Sequence, residues 1–290
     1  MTLSRRLFLF GLAALPLPAH ALSDAFGQAV VPRDARRILS LGADITEILA
    51  RIGCGDRIIA RDRSSTFPQE MRALPSVGQR RALSPEGILS VNPDLILAAD
   101  DIGPPEVVAF LRGQGIPFVT VPHAYSLDGI LTKVAILAGT LGVEPAGAAL
   151  SADIARDYTA AEAISRSIPE AARKRAVFLH GFATLSAAGS GTAAGEILRA
   201  AGARNIFADH AGYLSATPEL IIARDPEVVV AMPDSTGGPH PEEVFAMAAF
   251  SGTTAARNRA LLVLEDNLMI GFGPRTAGQI RRLAQALYPG

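Results

Sequence analysis

Apolar residues recur with two different periods along this chain, and the order in which those periods alternate predicts its architecture. Short apolar runs at 37–41, 58–60, 95–98 and 118–121 read as strands. Segments 44–52, 84–91 and 104–114, lying between them, carry apolar residues at helical spacing. Asp44 and Glu47 form a capping-box pattern at the start of the first of these, and Gly53 closes it. From Ser126 to Leu141 and from Pro145 to about Ile168 no strand signal intervenes, which predicts two consecutive helices. The second is alanine-rich, carries proline in its first turn and stops at Pro169, as a stiff bridge would. Alternation then resumes, with strands at 176–180, 228–231 and 261–264 and helices at 192–201, 217–224, 241–248 and 276–287. The fold class expected is α/β: two similar lobes with parallel-type sheets flanked by helices, joined by one long α-helix. Residues 22–143 make the first lobe, 144–169 the inter-lobe helix and 170–290 the second lobe.

A gapless internal repeat supports two lobes of like fold. The run from Ser84 through Pro85, Glu86, Asn92, Pro93 and Asp94 to Leu97 aligns with Thr217 through Pro218, Glu219, Asp225, Pro226 and Glu227 to Val230. Each copy reads as cap, proline, glutamate, short helix, proline turn, acidic residue, apolar strand. Ligands of open parallel sheets bind beyond the carboxyl ends of the strands. That rule places Asp62–Phe67, Gly78–Arg81, Asp100–Gly103 and Pro122–Tyr125 on one wall of a cleft. Gly181–Gly191, His210–Ser215, Met232–His240 and Asp266–Arg275 fall on the other.

Composition narrows the function. The 290 residues carry a net charge of −1 and are 49% hydrophobic, too apolar for a disordered chain and too balanced for a nucleic-acid binder. The single cysteine, Cys54, excludes an intramolecular disulfide and a cysteine zinc site, and reads as a small buried hydrophobe. Arg5 and Arg6, the apolar run Leu7 to Leu17 and Ala19-His20-Ala21 form a cleavable signal over residues 1–21. Ser4-Arg5-Arg6-Leu7-Phe8-Leu9 fits a twin-arginine signal as well as an ordinary secretory one. The mature chain is expected to be a soluble periplasmic monomer with no membrane span.

Arg37-Ile38-Leu39-Ser40-Leu41-Gly42 followed by Thr46-Glu47-Ile48-Leu49 resembles the opening of class III periplasmic binding proteins of ABC importers, and the likeness runs over nearly the whole mature chain. Val77-Gly78 with Leu83-Ser84-Pro85-Glu86-Gly87-Ile88-Leu89, Gly212-Tyr213-Leu214-Ser215 and Gly271-Phe272-Gly273-Pro274-Arg275-Thr276 resemble the haem-binding branch. The resemblance implies two α/β lobes on a long helix with little hinge motion, and haem (hemin) as transported ligand with no cofactor required. It also implies that a glutamate on each lobe docks onto arginines of a dimeric inner-membrane permease with its ATPase. Glu86 and Glu219 match those positions. Equivalent carboxylates on two similar lobes also suit a two-fold partner without the family's help.

Haem-binding members of that branch hold iron through a tyrosine in a Ser-x-x-Tyr-Pro-like segment. Here the segment is Arg63-Ser64-Ser65-Thr66-Phe67-Pro68, and Phe67 has no oxygen to offer. Phe67 is left to stack on a porphyrin while another residue supplies the axial bond. His180 at a strand end is the favoured iron ligand and His123 the alternative, with Tyr125 and Tyr213 nearby in cleft loops. Arg80, Arg81 and Arg275, with Arg61 and Arg63 as further options, would receive the propionates, and Phe272 would line the slot. A ferric siderophore, a corrinoid or another tetrapyrrole are the alternative ligands. An enzyme is the remote alternative. It rests on Gly189-Ser190-Gly191-Thr192-Ala193-Ala194-Gly195, glycines before a helix that suggest a nucleotide loop but lie several residues past the strand and lack a Walker lysine. That loop is expected instead to turn tightly and offer backbone N–H groups to the cleft.

Overall fold

The computed structural model describes residues 22–233, 238–264 and 271–289. The signal segment and parts of the loops Met232–His240 and Asp266–Arg275 lie outside the described residues. The first lobe builds a four-stranded parallel sheet from β1 (Ile38–Leu41), β2 (Ile58–Arg61), β3 (Leu95–Ala99) and β4 (Phe118–Val121), in the order β2-β1-β3-β4. Its helices are α1 (Ala43–Arg51), α2 (Pro85–Ser90), α3 (Pro105–Gly113) and α4 (Leu127–Leu141). Helix α5 (Glu144–Arg166), 23 residues long, leads out of this lobe.

The second lobe holds β5 (Arg175–Gly181), β6 (Ser186–Ala188), α6 (Ala193–Ala200), β7 (Arg204–Asn205), β8 (Tyr213–Ser215), α7 (Pro218–Arg224), β9 (Val228–Ala231), α8 (Pro241–Ala246), α9 (Thr254–Arg257), β10 (Leu261–Val263) and α10 (Thr276–Leu287). Strands β7, β5, β9 and β10 run parallel in that order and repeat the topology of the first sheet. Strands β6 and β8 are an addition, an antiparallel pair on the flank of β5. Sequence reading treats both as loop, because Ser186-Ala187-Ala188 has no β-branched or aromatic residue and β8 is only 3 residues long.

The period-2 alternation of the strands assigns each sheet two apolar faces. Ile38, Leu95, Leu97 and Val121 point to one core, and Leu39, Leu41, Ile96 and Ala98 to another. In the second lobe Phe178, Val228 and Val230 join the same core as Ile38, while Val177, Leu179 and Val229 face a third cluster. Helix α5 packs along α4 on one side and α10 on the other. Ile154 and Tyr158 of α5 carry one core from lobe to lobe.

The repeat holds in atomic detail. Ser84 caps α2 by accepting a hydrogen bond from the backbone N–H of Gly87, and Thr217 caps α7 by accepting from Leu220. Asn92 (φ 49°) and Asp225 (φ 39°) adopt the left-handed conformation after each helix, which these two residue types tolerate best after glycine. The Nε of Arg37 donates to the Asn92 carbonyl at 2.8 Å, and that of Arg175 to the Asp225 carbonyl at 2.8 Å. Asp94 accepts from the backbone N–H of Arg37, and Glu227 from that of Arg175. Each lobe thus pins the turn after its short helix to the start of its first strand.

Candidate functional site

On the first-lobe wall, Asp62 organises the loop after β2. Its carboxylate accepts from the backbone N–H groups of Gly42 and Ser64 and from the hydroxyls of Ser64 and Ser65. Arg61 is buried and donates to the carbonyls of Met71, Asp62 and Arg72, so it belongs to the scaffold and is not free for a propionate. The loop presents Phe67 at 37% exposure. One face of that ring is covered by the Arg275 guanidinium from the second half of the chain, 3.5 Å from the ring centroid. Arg275 also donates through Nε to Glu47 of α1 at 2.8 Å. The arginine expected to wait for an anion is therefore engaged across the lobe boundary.

Asp44 and Glu47 do not form a capping box. Helix α1 starts at Ala43 with no side-chain cap, and both acids turn to basic partners. Asp44 pairs with Lys133 of α4, both almost fully buried, and the same ammonium donates to the Phe272 carbonyl at 2.9 Å. Burial pushes the Asp44 carboxyl up, but Lys133 outweighs it and holds the group below its ordinary range. For Glu47 burial wins over Arg275 and raises the carboxyl. Sequence reading passed over Lys133, although it is the one charge between Asp128 and Glu144 in an otherwise apolar helical stretch. Phe272 is a correction: its ring is 1% exposed, packed edge-on against Tyr125 at 5.8 Å and tilted against Tyr158 at 6.3 Å. It supports the cleft wall from below, because the Lys133 contact to its carbonyl anchors it in the junction.

A second polar group lies at the ends of β3 and β4. Asp101 Oδ2 accepts from Arg80 at 2.9 Å and also from Arg81, and His123 Nε2 stands 3.7 Å from the same oxygen. His123 Nε2 shares a hydrogen bond with the Tyr125 hydroxyl. Burial lowers the His123 pKa in spite of Asp101, which keeps the imidazole neutral at pH 7. Burial raises the Asp101 carboxyl, but Arg80, His123 and Arg81 more than offset that and hold it ionised. Asp100, Asp101 and His123 come within 4.8 Å of one another, but two guanidinium groups already neutralise Asp101 and would repel a bare cation. Asp101 lies in the loop that the strand-end rule placed on the cleft wall, and the structure gathers Arg80, Arg81 and His123 around it.

The second-lobe wall carries His180 at the end of β5 and Tyr213 at the start of β8, their ring centroids 5.8 Å apart. Both are exposed, and among the described residues neither side chain has a hydrogen-bond partner. Although the residue is 44% exposed, partial desolvation pushes the Tyr213 phenol up to about 12, with Tyr125 raising it further and Arg81 opposing the rise. Three N–H groups of the glycine loop are spent inside the second lobe. The N–H of Gly189 donates to the Gly212 carbonyl, that of Ser190 to His210 and that of Gly195 to Thr192. A side chain at Gly189 would meet the His210 carbonyl at 2.1 Å, so the glycine serves close packing of two backbones.

At the same end of the sheets, Glu86 and Glu219 are exposed in the first turns of α2 and α7. Among the described residues neither carboxylate has a hydrogen-bond or ion-pair partner. No helix of the described residues is long and apolar enough to cross a membrane.

Comparison with known proteins adds four findings. The family model described as periplasmic binding protein matches residues 38–268. The apo structure of the periplasmic heme-binding protein RhuT from Roseiflexus sp. RS-1 superposes with a TM-score of 0.81 at 32% identity, covering 88% of this chain and 98% of that one. Among curated proteins, an uncharacterized ABC transporter substrate-binding lipoprotein of Bacillus subtilis is 24% identical, covering 92% of this chain and 85% of its own length. A cobalamin-binding protein of Halobacterium salinarum is 27% identical, covering 91% of this chain and 73% of its own.

Proposed function

This chain belongs to the periplasmic binding protein family, and from that premise we propose that it captures haem between its lobes and hands it to an ABC permease. The observation that carries the reading is the pairing of unlike walls. His180 and Tyr213 lie together on the second lobe without hydrogen-bond partners among the described residues, while Arg80, Arg81, His123 and Tyr125 gather at the strand ends of the first. In this reading His180 supplies the axial nitrogen and Tyr213 stands beside it, while the first-lobe arginines, held in place by Asp101, receive the propionates. The engaged pair His123–Tyr125 lines the opposite face. The likeness to a heme-binding structure supports this choice. Titration with haemin tests it: a shifted Soret band that changes in His180→Ala and Tyr213→Phe is expected, and an unshifted band refutes it.

A second reading, a corrinoid, draws on Phe67 in place of a phenolate ligand and on the cobalamin-binding relative. Titration with cobalamin in parallel with haemin separates the two. Delivery would use Glu86 and Glu219, two unpaired carboxylates at matching places on two like lobes, docking to a two-fold permease. Import abolished in the Glu86→Ala plus Glu219→Ala protein, with haemin binding intact, is the expected result, and normal uptake removes this role.

A further inference from the structure

The internal repeat matches more than the two glutamates. Among the described residues nine large apolar side chains are exposed, and two of them are Leu89 at 38% and Ile222 at 44%. They occupy the same position of the repeat, three residues after Glu86 and Glu219. That spacing on α2 and α7 puts each beside its glutamate on one helix face. Their neighbours Ile88 and Ile221 are fully buried, so the exposed pair is not spillover from a loosely packed core. Helix propensity does not demand them either: a polar residue at these places would cap and fold as well. Each lobe therefore carries the same two-part patch, an unpaired carboxylate with an aliphatic knob one turn away.

We propose that Leu89 and Ile222 are the apolar half of the docking surface, each entering an apolar recess next to the cation that meets Glu86 or Glu219 on a two-fold-symmetric membrane permease. The inference rests on the docking role of the two glutamates. Charge complementarity argues for a cationic partner, since both carboxylates lack an internal partner. Duplication of the patch on lobes that share the same order of four parallel strands argues for a partner that presents its site twice. The charges govern encounter, and the knobs govern how long the complex lasts.

The test measures binding of the full mature chain to its cognate permease–ATPase complex in lipid nanodiscs, at low and at physiological salt. Leu89→Ser and Ile222→Ser are each expected to weaken binding by roughly tenfold, as loss of one buried aliphatic flank implies. The loss falls on the dissociation rate, with the salt dependence unchanged. Glu86→Ala plus Glu219→Ala instead flattens the salt dependence. Wild-type binding by the Leu89→Ser plus Ile222→Ser protein, beside a weakened glutamate variant, overturns this inference alone. Wild-type binding by the glutamate variant overturns the docking reading beneath it. A loss at only one of the two knobs refutes the two-fold partner. A dimer of the free chain that Leu89→Ser dissociates assigns the patch to self-contact and also overturns the proposal.

Discussion

The two lobes are alike around Glu86 and Glu219 and unlike along the walls of the cleft. Arg37, Ser84, Asn92 and Asp94 in the first lobe make the same cap, Nε-to-carbonyl and carboxylate-to-backbone contacts as Arg175, Thr217, Asp225 and Glu227 in the second. The cleft walls share nothing of this kind. The first carries an ionised cluster in which Arg80 and Arg81 both meet Asp101 Oδ2, and the second carries His180 and Tyr213, without hydrogen-bond partners among the described residues, on and beside an added antiparallel pair of strands. A two-fold partner demands repetition, whereas a small ligand with one acidic edge and one metal centre rewards difference.

The largest effect expected breaks this comparison in the interior. Lys133 and Asp44 form a buried ion pair in the first lobe, and the ion pairs described within the second lobe lie on its surface. Removing one partner of a buried pair strands the other, so Lys133→Ala should cost about 3–5 kcal/mol in denaturant unfolding. Arg175→Ala, at a partly exposed pair, should cost about 1 kcal/mol or less. The folded Asp44 carboxyl lies below its unfolded value of 3.8. Its stabilisation is thus complete above that pH and lost as pH falls through the lowered value, a loss that Asp44→Asn should not show.

At the docking face the comparison predicts equality. Glu86→Ala and Glu219→Ala should each slow association with the permease by about tenfold at low salt, and a strongly one-sided result would end the symmetry. Loss of the caps comes next: Ser84→Ala and Thr217→Ala should each destabilise by about 1 kcal/mol in thermal unfolding, and by similar amounts. The smallest effect is a slope. The Glu47 carboxyl is raised above 4.5 in the folded state, so stability falls as pH rises from 4.5 towards the raised value. Glu47→Gln should remove that slope, opposite in sign to the one from Asp44 on the same helix.

What was legible in the sequence follows the same division. Helix α5, the parallel strands and the matched glutamates were readable because each is fixed by local signals: period, caps, proline turns and a gapless repeat. Strands β6 and β8 were not, since their small residues are held by pairing to distant chain. The same applies to the cleft chemistry. Asp101 acquires its meaning only when β3 and β4 bring Arg80, Arg81 and His123 to it, and Lys133 only when α1 and Phe272 close over it. Arg275 and Phe67, assigned separately to the ligand, turn out to be stacked on each other, a contact between residues 208 positions apart that no local pattern carries.

The proposal that the unlike walls receive one haem is most directly tested by titrating haemin into the purified mature protein and following the Soret band. The expected result is a saturable, shifted band that weakens in His180→Ala, with Arg80→Ala plus Arg81→Ala lowering affinity while leaving the band position unchanged. An unshifted band in the wild type, alongside saturable binding of cobalamin, would contradict it.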